Sequence, residues 1–285
     1  MIVITGASGQ LGRLVIAQLL KTVPASQIVA AARDPEKVAD LAAKGVQVRH
    51  ADYAKPDTLD RAFEGAEKIL LISSSEVGQR VAQHQAVIDA ARRAGVKLLA
   101  YTSVLHADTS ALALAEEHKQ TEEALTQSGV PAVVLRNGWY HENYTAGVTH
   151  AVANGAHYGS AGEGRISSAA RADYAEAAAI VLTASDDQAG KVYELAGDES
   201  YTLKAFAAQI AQQSGKPVVY TDLPEADYKA VLLQAGLPEF VAELLANSDA
   251  AAAKGALFDD GGQLSRLMGR PTTPLSSSIT EALSH

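Results

Sequence analysis

Short apolar runs alternate with longer stretches of helical period through the first half of the chain, the pattern of βαβ units that build a parallel sheet. Strands are predicted at Met1 to Thr5, Gln27 to Ala32, Val46 to His50, Lys68 to Ile72, Leu98 to Tyr101 and Ala132 to Arg136. Between them, Gln10 to Lys21, Glu36 to Lys44, Asp57 to Phe63, Gly78 to Arg93 and Leu112 to Gln127 repeat apolar positions at three and four, as Leu11, Val15 and Leu19 do. That period predicts helices. Gly95 and Gly129 follow two of these helices, where a left-handed residue ends them at little cost. The expected architecture is α/β, a doubly wound Rossmann-like parallel sheet.

Past Tyr140 the period loosens. Asn154 to Gly164 holds four glycines among small residues and reads as a loop or irregular strand. Arg171 to Ala184 is an alanine-rich helix able to return to the sheet, and Lys191 to Leu195 is one more short strand. Thr202 to Ser214, Glu225 to Ala235, Pro238 to Ala253 and Asp259 to Met268 are mainly helical, broken by Pro217, Pro224, Pro238 and Pro271. The expected organisation is a sheet domain over 1–140, joined by 165–197, and a smaller, mainly helical C-terminal lobe from 141–164 and 198–285.

Composition narrows the chemistry more than the fold. The 285 residues are 47% hydrophobic and 20% charged, the balance of an ordinary globular chain. There is no cysteine, which removes disulfides, thiolate metal sites, iron–sulfur clusters and cysteine nucleophiles together. The net charge of −9 comes from 24 basic and 33 acidic side chains without a basic stripe, so no nucleic-acid partner is expected. The chain opens on the apolar run Ile2 to Ile4 with no charged segment ahead of it, and charges or histidines interrupt every long apolar stretch. A soluble, cytoplasmic protein without a membrane partner is expected, monomer or homodimer. The eight histidines show no metal-ligand spacing, so no metal is expected, and neither a Gly-x-x-x-x-Gly-Lys phosphate loop nor a Gly-x-Ser-x-Gly turn occurs.

One motif carries chemistry. Gly6, Gly9 and Gly12 lie three apart in Thr5-Gly6-Ala7-Ser8-Gly9-Gln10-Leu11-Gly12, directly after the first strand and opening the first helix. Gly6 permits a tight turn, Gly9 lets a pyrophosphate approach the backbone, and Gly12 lets helix and strand pack closely. The helix N-terminus offers N–H groups and a positive dipole end to the phosphates, so Gly6, Ala7, Ser8, Gly9, Gln10 and Leu11 form the candidate cradle. The second strand ends in Arg33, whose guanidinium suits a 2′-phosphate and favours NADPH. The alternative is that Asp34 holds an unphosphorylated ribose. Asp52, after the third strand, is a candidate acceptor for the adenine amino group. Ser73, Ser74 and Ser75, after the fourth, are small enough for the cofactor to pass close to the backbone.

With those segments, Tyr101-Thr102-Ser103 and Leu135-Arg136-Asn137-Gly138, the chain resembles the short-chain dehydrogenase/reductase superfamily. More closely it resembles the atypical NmrA-like branch, and within it the bacterial NADPH-dependent quinone oxidoreductases of type 2, relatives of triphenylmethane dye reductases. The narrower signals are Ser73-Ser74-Ser75-Glu76-Val77-Gly78-Gln79-Arg80, Arg136-Asn137-Gly138-Trp139-Tyr140 and Phe258-Asp259-Asp260. The resemblance implies that Asn137, Gly138, Trp139, Tyr140, His141 and Glu142 line the nicotinamide side, with Arg171 near the cofactor. It further implies that Trp139, Tyr140 and Asn143 face the substrate, with His106 and Phe258 as weaker candidates for the pocket wall.

The chain departs from the superfamily at its Tyr-x-x-x-Lys acid pair. None of the ten tyrosines has lysine four residues later, and the helix after Ser103 carries His118 and Glu122 instead. A mechanism that protonates a carbonyl through a lysine-tuned tyrosine is thereby excluded. His118 is a candidate acid, weighed against an ordinary structural histidine. Quinone reduction manages without such a pair, because the reduced oxygen is a stable phenolate that water can protonate. Trp139 and Tyr140 suit a flat ring, or simply fill space, and Asn143 is the candidate catalytic hydrogen-bond donor to a quinone oxygen. Two other readings stand beside this one: a non-catalytic NADP(H)-binding redox sensor that docks a protein partner, and a reductase of another flat acceptor such as a dye.

Overall fold

The computed structural model describes residues 1–284. In chain order its elements run β1 (Ile2–Ile4), α1 (Gln10–Leu19), β2 (Ile28–Ala32), α2 (Ala39–Ala42), β3 (Gln47–His50), α3 (Pro56–Ala62), β4 (Lys68–Leu71), α4 (Arg80–Ala94), β5 (Leu98–Val104), α5 (Ala115–Ser128) and β6 (Ala132–Asn137). They continue as α6 (His141–Thr145), α7 (Val148–Asn154), β7 (Ala156–Gly159), α8 (Arg171–Thr183), β8 (Val192–Leu195), α9 (Leu203–Ser214), β9 (Val219–Asp222), α10 (Glu225–Gln234), α11 (Glu239–Ala252), α12 (Gln263–Met268) and α13 (Leu275–Leu283).

The main sheet has seven strands in the order β3-β2-β1-β4-β5-β6-β8, and β1 to β6 run parallel. Every residue of β2 and β5 is buried. Parallel strands covered on both faces read as unbroken apolar runs, which is why the sequence pattern lacks a period of two there. Strand order reverses at β1, between β2 and β4, so the turns leaving β1 and β4 border the crevice where open α/β sheets bind ligands. Phe63, Ile69, Leu71, Val87 and Tyr101 belong to the core beneath these turns.

The chain divides into two compact units, one comprising 1–107, 117–137 and 172–193, the other 108–116, 138–171 and 194–285. The contacts thus group 108–116, 138–140, 165–171 and 194–197 with the second unit, where the sequence reading grouped them with the sheet. The first unit holds the glycine turn, α8 and the carboxyl ends of β1 to β6. The second contains the smaller parallel sheet β7-β9 and the C-terminal helices.

The sequence pattern locates the strands of the main sheet and most of its helices, with instructive misses. β5 continues to Val104, past the predicted end at Tyr101, because β6 pairs with it as far as Asn137. The predicted helix from Glu36 to Lys44 is instead a 3-10 turn, Pro35–Val38, followed by the four-residue α2. Asp34 caps that turn and Pro35 opens it, while Val38, at φ −125°, interrupts the helical path. The predicted helix from Asp259 begins only at Gln263, since Gly262 takes φ +61°. The elements α6, α7, β9 and α13 were not anticipated.

Candidate functional site

The glycine turn is built as its spacing requires. Gly6 adopts φ +59°, and the Gly9 N–H donates to its carbonyl at 2.9 Å, closing the turn. The Ala7 N–H donates to the Ala31 carbonyl at 3.1 Å, tying the turn to β2. A Cβ on Gly12 would lie 2.6 Å from the Gly6 oxygen, so helix and turn touch backbone to backbone. Gly9 is the N-cap of α1 and no side chain caps that end. Ser8 is half-buried, Gly9 and Gln10 are exposed, and Ala7 and Leu11 anchor the turn in the interior.

A pocket of about 290 Å³ opens beside this turn, lined by Gly6, Ser8, Gly9, Arg33, Ala51, Asp52, Tyr53, Ile72, Ser73 to Ser75, Glu76 and Gln83. It thus gathers the cradle, Arg33, Asp52 and the serine run, which the sequence analysis singled out separately. Asp34 is absent from the lining. Its carboxylate accepts the Glu36 N–H at 3.2 Å and lies 3.9 Å from Lys37, so it serves its own turn and the ribose alternative loses its residue. Asp52 accepts the Ala54 N–H at 3.0 Å through Oδ1, with Lys55 3.4 Å from Oδ2.

Tyr53, Glu76 and Gln83 also line the pocket and were missed. The Tyr53 hydroxyl lies 2.5 Å from that of Thr5 and donates to the Ile72 carbonyl at 2.8 Å, bracing the turns after β1 and β4. Burial pushes its phenol well above the ordinary range, so it acts as a neutral brace. The serine run is held from beneath. The Ser73 N–H donates to Thr102 Oγ1 and the Ser74 N–H to His84 Nε2, each at 2.9 Å. Since that nitrogen accepts, the His84 proton sits on Nδ1, 3.0 Å from Thr121 Oγ1, whose hydroxyl donates to the Glu117 carbonyl at 2.8 Å. Burial carries the His84 pKa down to about 3, which keeps the imidazole neutral as this chain of bonds requires.

At the place where the superfamily keeps its acid pair, the first unit has buried structure instead. His118 is 4% exposed, and its Nδ1 lies 2.6 Å from the Tyr101 hydroxyl. Burial drives its pKa well below the usual histidine value, which removes it as the proton donor considered above. Glu122 receives Arg136 Nε at 3.0 Å on Oε1 and Nη2 at 2.7 Å on Oε2, and Ser103 Oγ donates to Oε1 at 2.5 Å. The next residue, Asn137, ends β6 at 6% exposure, and its buried Oδ1 has no hydrogen-bond partner among the described residues. His106 follows β5 half-buried, with φ +53°.

In the second unit, the Gly138 N–H donates to the Leu195 carbonyl at 2.7 Å and the Ala169 N–H to the Trp139 carbonyl at 3.1 Å. Trp139 and Tyr140 are half-buried. The Arg171 guanidinium lies 4.7 Å over the Tyr140 ring, and the Glu142 carboxylate accepts the Arg171 N–H at 3.1 Å while standing 3.8 Å from its guanidinium. Both ring nitrogens of His141 are engaged, Nε2 donating to the Ser168 carbonyl and Nδ1 accepting from Ser278, each at 3.0 Å. That ring is a brace within its unit. The Asn143 backbone N–H donates to the Tyr140 carbonyl, whereas its half-buried side-chain amide makes no hydrogen bond to a described residue. Phe258 is half-buried in the turn after α11. The neighbouring Tyr144 hydroxyl donates to Asp249 at 2.8 Å, a carboxyl that burial pushes up to about 6.

Among the described residues no group of three His, Asp or Glu can hold a metal, and no helix is long and apolar enough to cross a membrane.

Residues 1–282 match the profile of the NmrA-like family. Quinone oxidoreductase 2 of Escherichia coli (strain K12) is 56% identical over 280 residues, 98% of each chain. The crystal structure of the E. coli NADPH-dependent quinone oxidoreductase complexed with NADPH superposes with a TM-score of 0.97, covering 99% of this chain and 100% of that one. The Citrobacter triphenylmethane reductase complexed with NADP(H) is 39% identical with a TM-score of 0.95, over 99% of this chain and 100% of the other.

Proposed function

The chain belongs to the NmrA-like family, and from that membership we propose that it is an NADPH-dependent oxidoreductase delivering hydride directly to a quinone or similarly flat conjugated acceptor, with neither flavin nor metal. The pocket carries the reading, because one concavity at the sheet's reversal point joins the glycine turn to Arg33. Its features fit a dinucleotide. The Gly6 to Gly12 turn leaves a helix end that no side chain caps, and outside this pocket, at the end of β6, the unpartnered Asn137 Oδ1 is an acceptor open to a ligand N–H.

When bound, NADPH supplies a hydride that, with one proton from water, turns a quinone into its hydroquinone. The chain's residues bind, orient and shield. Gly6, Ala7, Ser8, Gly9, Gln10 and Leu11 present backbone to the pyrophosphate, and Arg33 pairs with the 2′-phosphate. Asp52 takes the adenine amino group and Ser73 to Ser75 the ribose side. Asn137, Gly138, Trp139, Tyr140, Glu142 and Arg171 serve the nicotinamide end, with His141 contributing by bracing the segment. Trp139 and Tyr140 offer ring faces to the acceptor, His106 and Phe258 wall it, and the Asn143 amide donates to its oxygen as negative charge develops there. Cytoplasmic NADPH is the matching source of electrons.

Steady-state NADPH oxidation with a panel of simple quinones and a triphenylmethane dye tests the proposal. Turnover with a quinone is expected, whereas silence across the panel at saturating NADPH, with binding intact, would overturn it and favour the sensor reading. Arg33→Asp removes a charge-assisted contact and adds repulsion, so the Michaelis constant for NADPH should rise about 10- to 100-fold and that for NADH much less. Equal effects on both would remove the 2′-phosphate assignment. Asn143→Ala should lower kcat roughly tenfold with little change in the NADPH constant. An unchanged kcat would leave Asn143 without a catalytic part.

A further inference from the structure

The pocket contains a fixed negative charge for which the proposed function has no use. Glu76 Oε1 meets Arg33 Nη1 at 2.6 Å, and Oε2 accepts from Gln83 Nε2 at 2.7 Å. Gln83, only 9% exposed, is held in turn by the Ser74 hydroxyl, which also accepts the Glu76 N–H at 3.1 Å. All four residues line the pocket. The carboxylate is therefore held through Oε2 by Gln83 independently of Arg33, and the Arg33 side chain is 70% exposed against 45% for Glu76.

We propose that Glu76 is a specificity-determining residue whose carboxylate competes with the cofactor's 2′-phosphate for Arg33. The inference rests on the NADPH reading above. A 2′-phosphate that takes the guanidinium must break an existing ion pair and sit beside a moored like charge. A ribose bearing a free 2′-hydroxyl asks for neither change. Glu76 thus holds down the preference for the phosphorylated dinucleotide. The hydrogen bonds from Arg33 and Gln83 keep the Glu76 pKa below its usual value, so the competing charge is present at neutral pH.

Titration calorimetry of the full chain with 2′,5′-ADP and 5′-AMP isolates the contact. In the wild type 2′,5′-ADP should bind more tightly, and equal dissociation constants would overturn the NADPH reading and this inference together. Given that preference, Glu76→Gln should tighten 2′,5′-ADP about three- to fivefold, the scale of an exposed ion pair, and leave 5′-AMP unchanged. Glu76→Ala should tighten it likewise, and the gain should shrink at high salt. In an Arg33→Ala background the gain should vanish. Unchanged or weaker binding of 2′,5′-ADP by both Glu76 variants, or an equal gain without Arg33, would overturn the competition while leaving the cofactor reading in place.

Discussion

Glu122→Ala is expected to lower the stability of the sheet unit by about 2–3 kcal/mol, read as an earlier midpoint in denaturant. The Arg136 and Glu122 side chains are 11% and 13% exposed, so water does little to replace the lost carboxylate. The guanidinium is held by both carboxylate oxygens, and removal takes away these contacts together with the acceptor of the Ser103 hydroxyl. The effect arises from charge-assisted hydrogen bonds lost where water replaces them poorly, and says little about the net value of the intact pair. Glu122→Leu combined with Arg136→Met, which removes the cation along with its acceptor, should recover part of the loss. A drop under about 1 kcal/mol for Glu122→Ala would show that the pair is solvated in practice. Because Arg136 directly precedes Asn137, weaker NADPH binding should accompany the loss of stability.

This ion pair also shows where sequence reasoning stops. The absence of a Tyr-x-x-x-Lys pair was legible residue by residue. That Glu122, one of the residues standing in its place, pairs with Arg136 was not, because the two are brought together across α5 and β6 by tertiary packing. The glycine turn was legible because strand, turn and helix are consecutive and each glycine has a local steric reason. Arg33 and the serine run share one pocket only because β1, β2 and β4 are neighbours, an arrangement that the doubly wound order implies. Gln83 lies on α4, and nothing in a helical period tells which of its polar residues turns towards the strand ends. His141 illustrates the reverse error. It falls inside a segment proposed to serve the nicotinamide, yet both its ring nitrogens are spent on Ser168 and Ser278. The short elements α6 and α7 escaped notice because five and seven residues carry too little period to register. β9 was hidden for a related reason, since Val219–Asp222 is exposed at both ends and half-buried between, without a buried run.

Gly12→Ala and Gly9→Ala, only three residues apart, should separate folding from binding. A methyl group on Gly12 would lie 2.6 Å from the Gly6 oxygen and 2.9 Å from the Ala7 Cα. Both are backbone atoms of a turn that is tied to β2 and set by Gly6 at φ +59°, so relief requires α1 to lift from the strand. Alanine's better helix propensity returns about 1 kcal/mol, whereas overpacking a close-packed site typically costs about 1–3 kcal/mol and more when backbone must shift. The net expectation is a destabilisation of roughly 1–3 kcal/mol, with NADPH binding lost because the cradle moves. At Gly9 the added carbon meets only the Gly6 oxygen, at 3.3 Å, and φ −77° suits any residue. Gly9→Ala should therefore cost no more than about 1 kcal/mol, the scale of an N-cap preference. Its methyl group projects from the exposed N-cap where the pyrophosphate must approach, so the dissociation constant for NADPH should rise at least tenfold. If Gly9→Ala binds NADPH normally, the phosphates do not lie against this turn; if Gly12→Ala is as stable as wild type, α1 does not need its close approach to the strand.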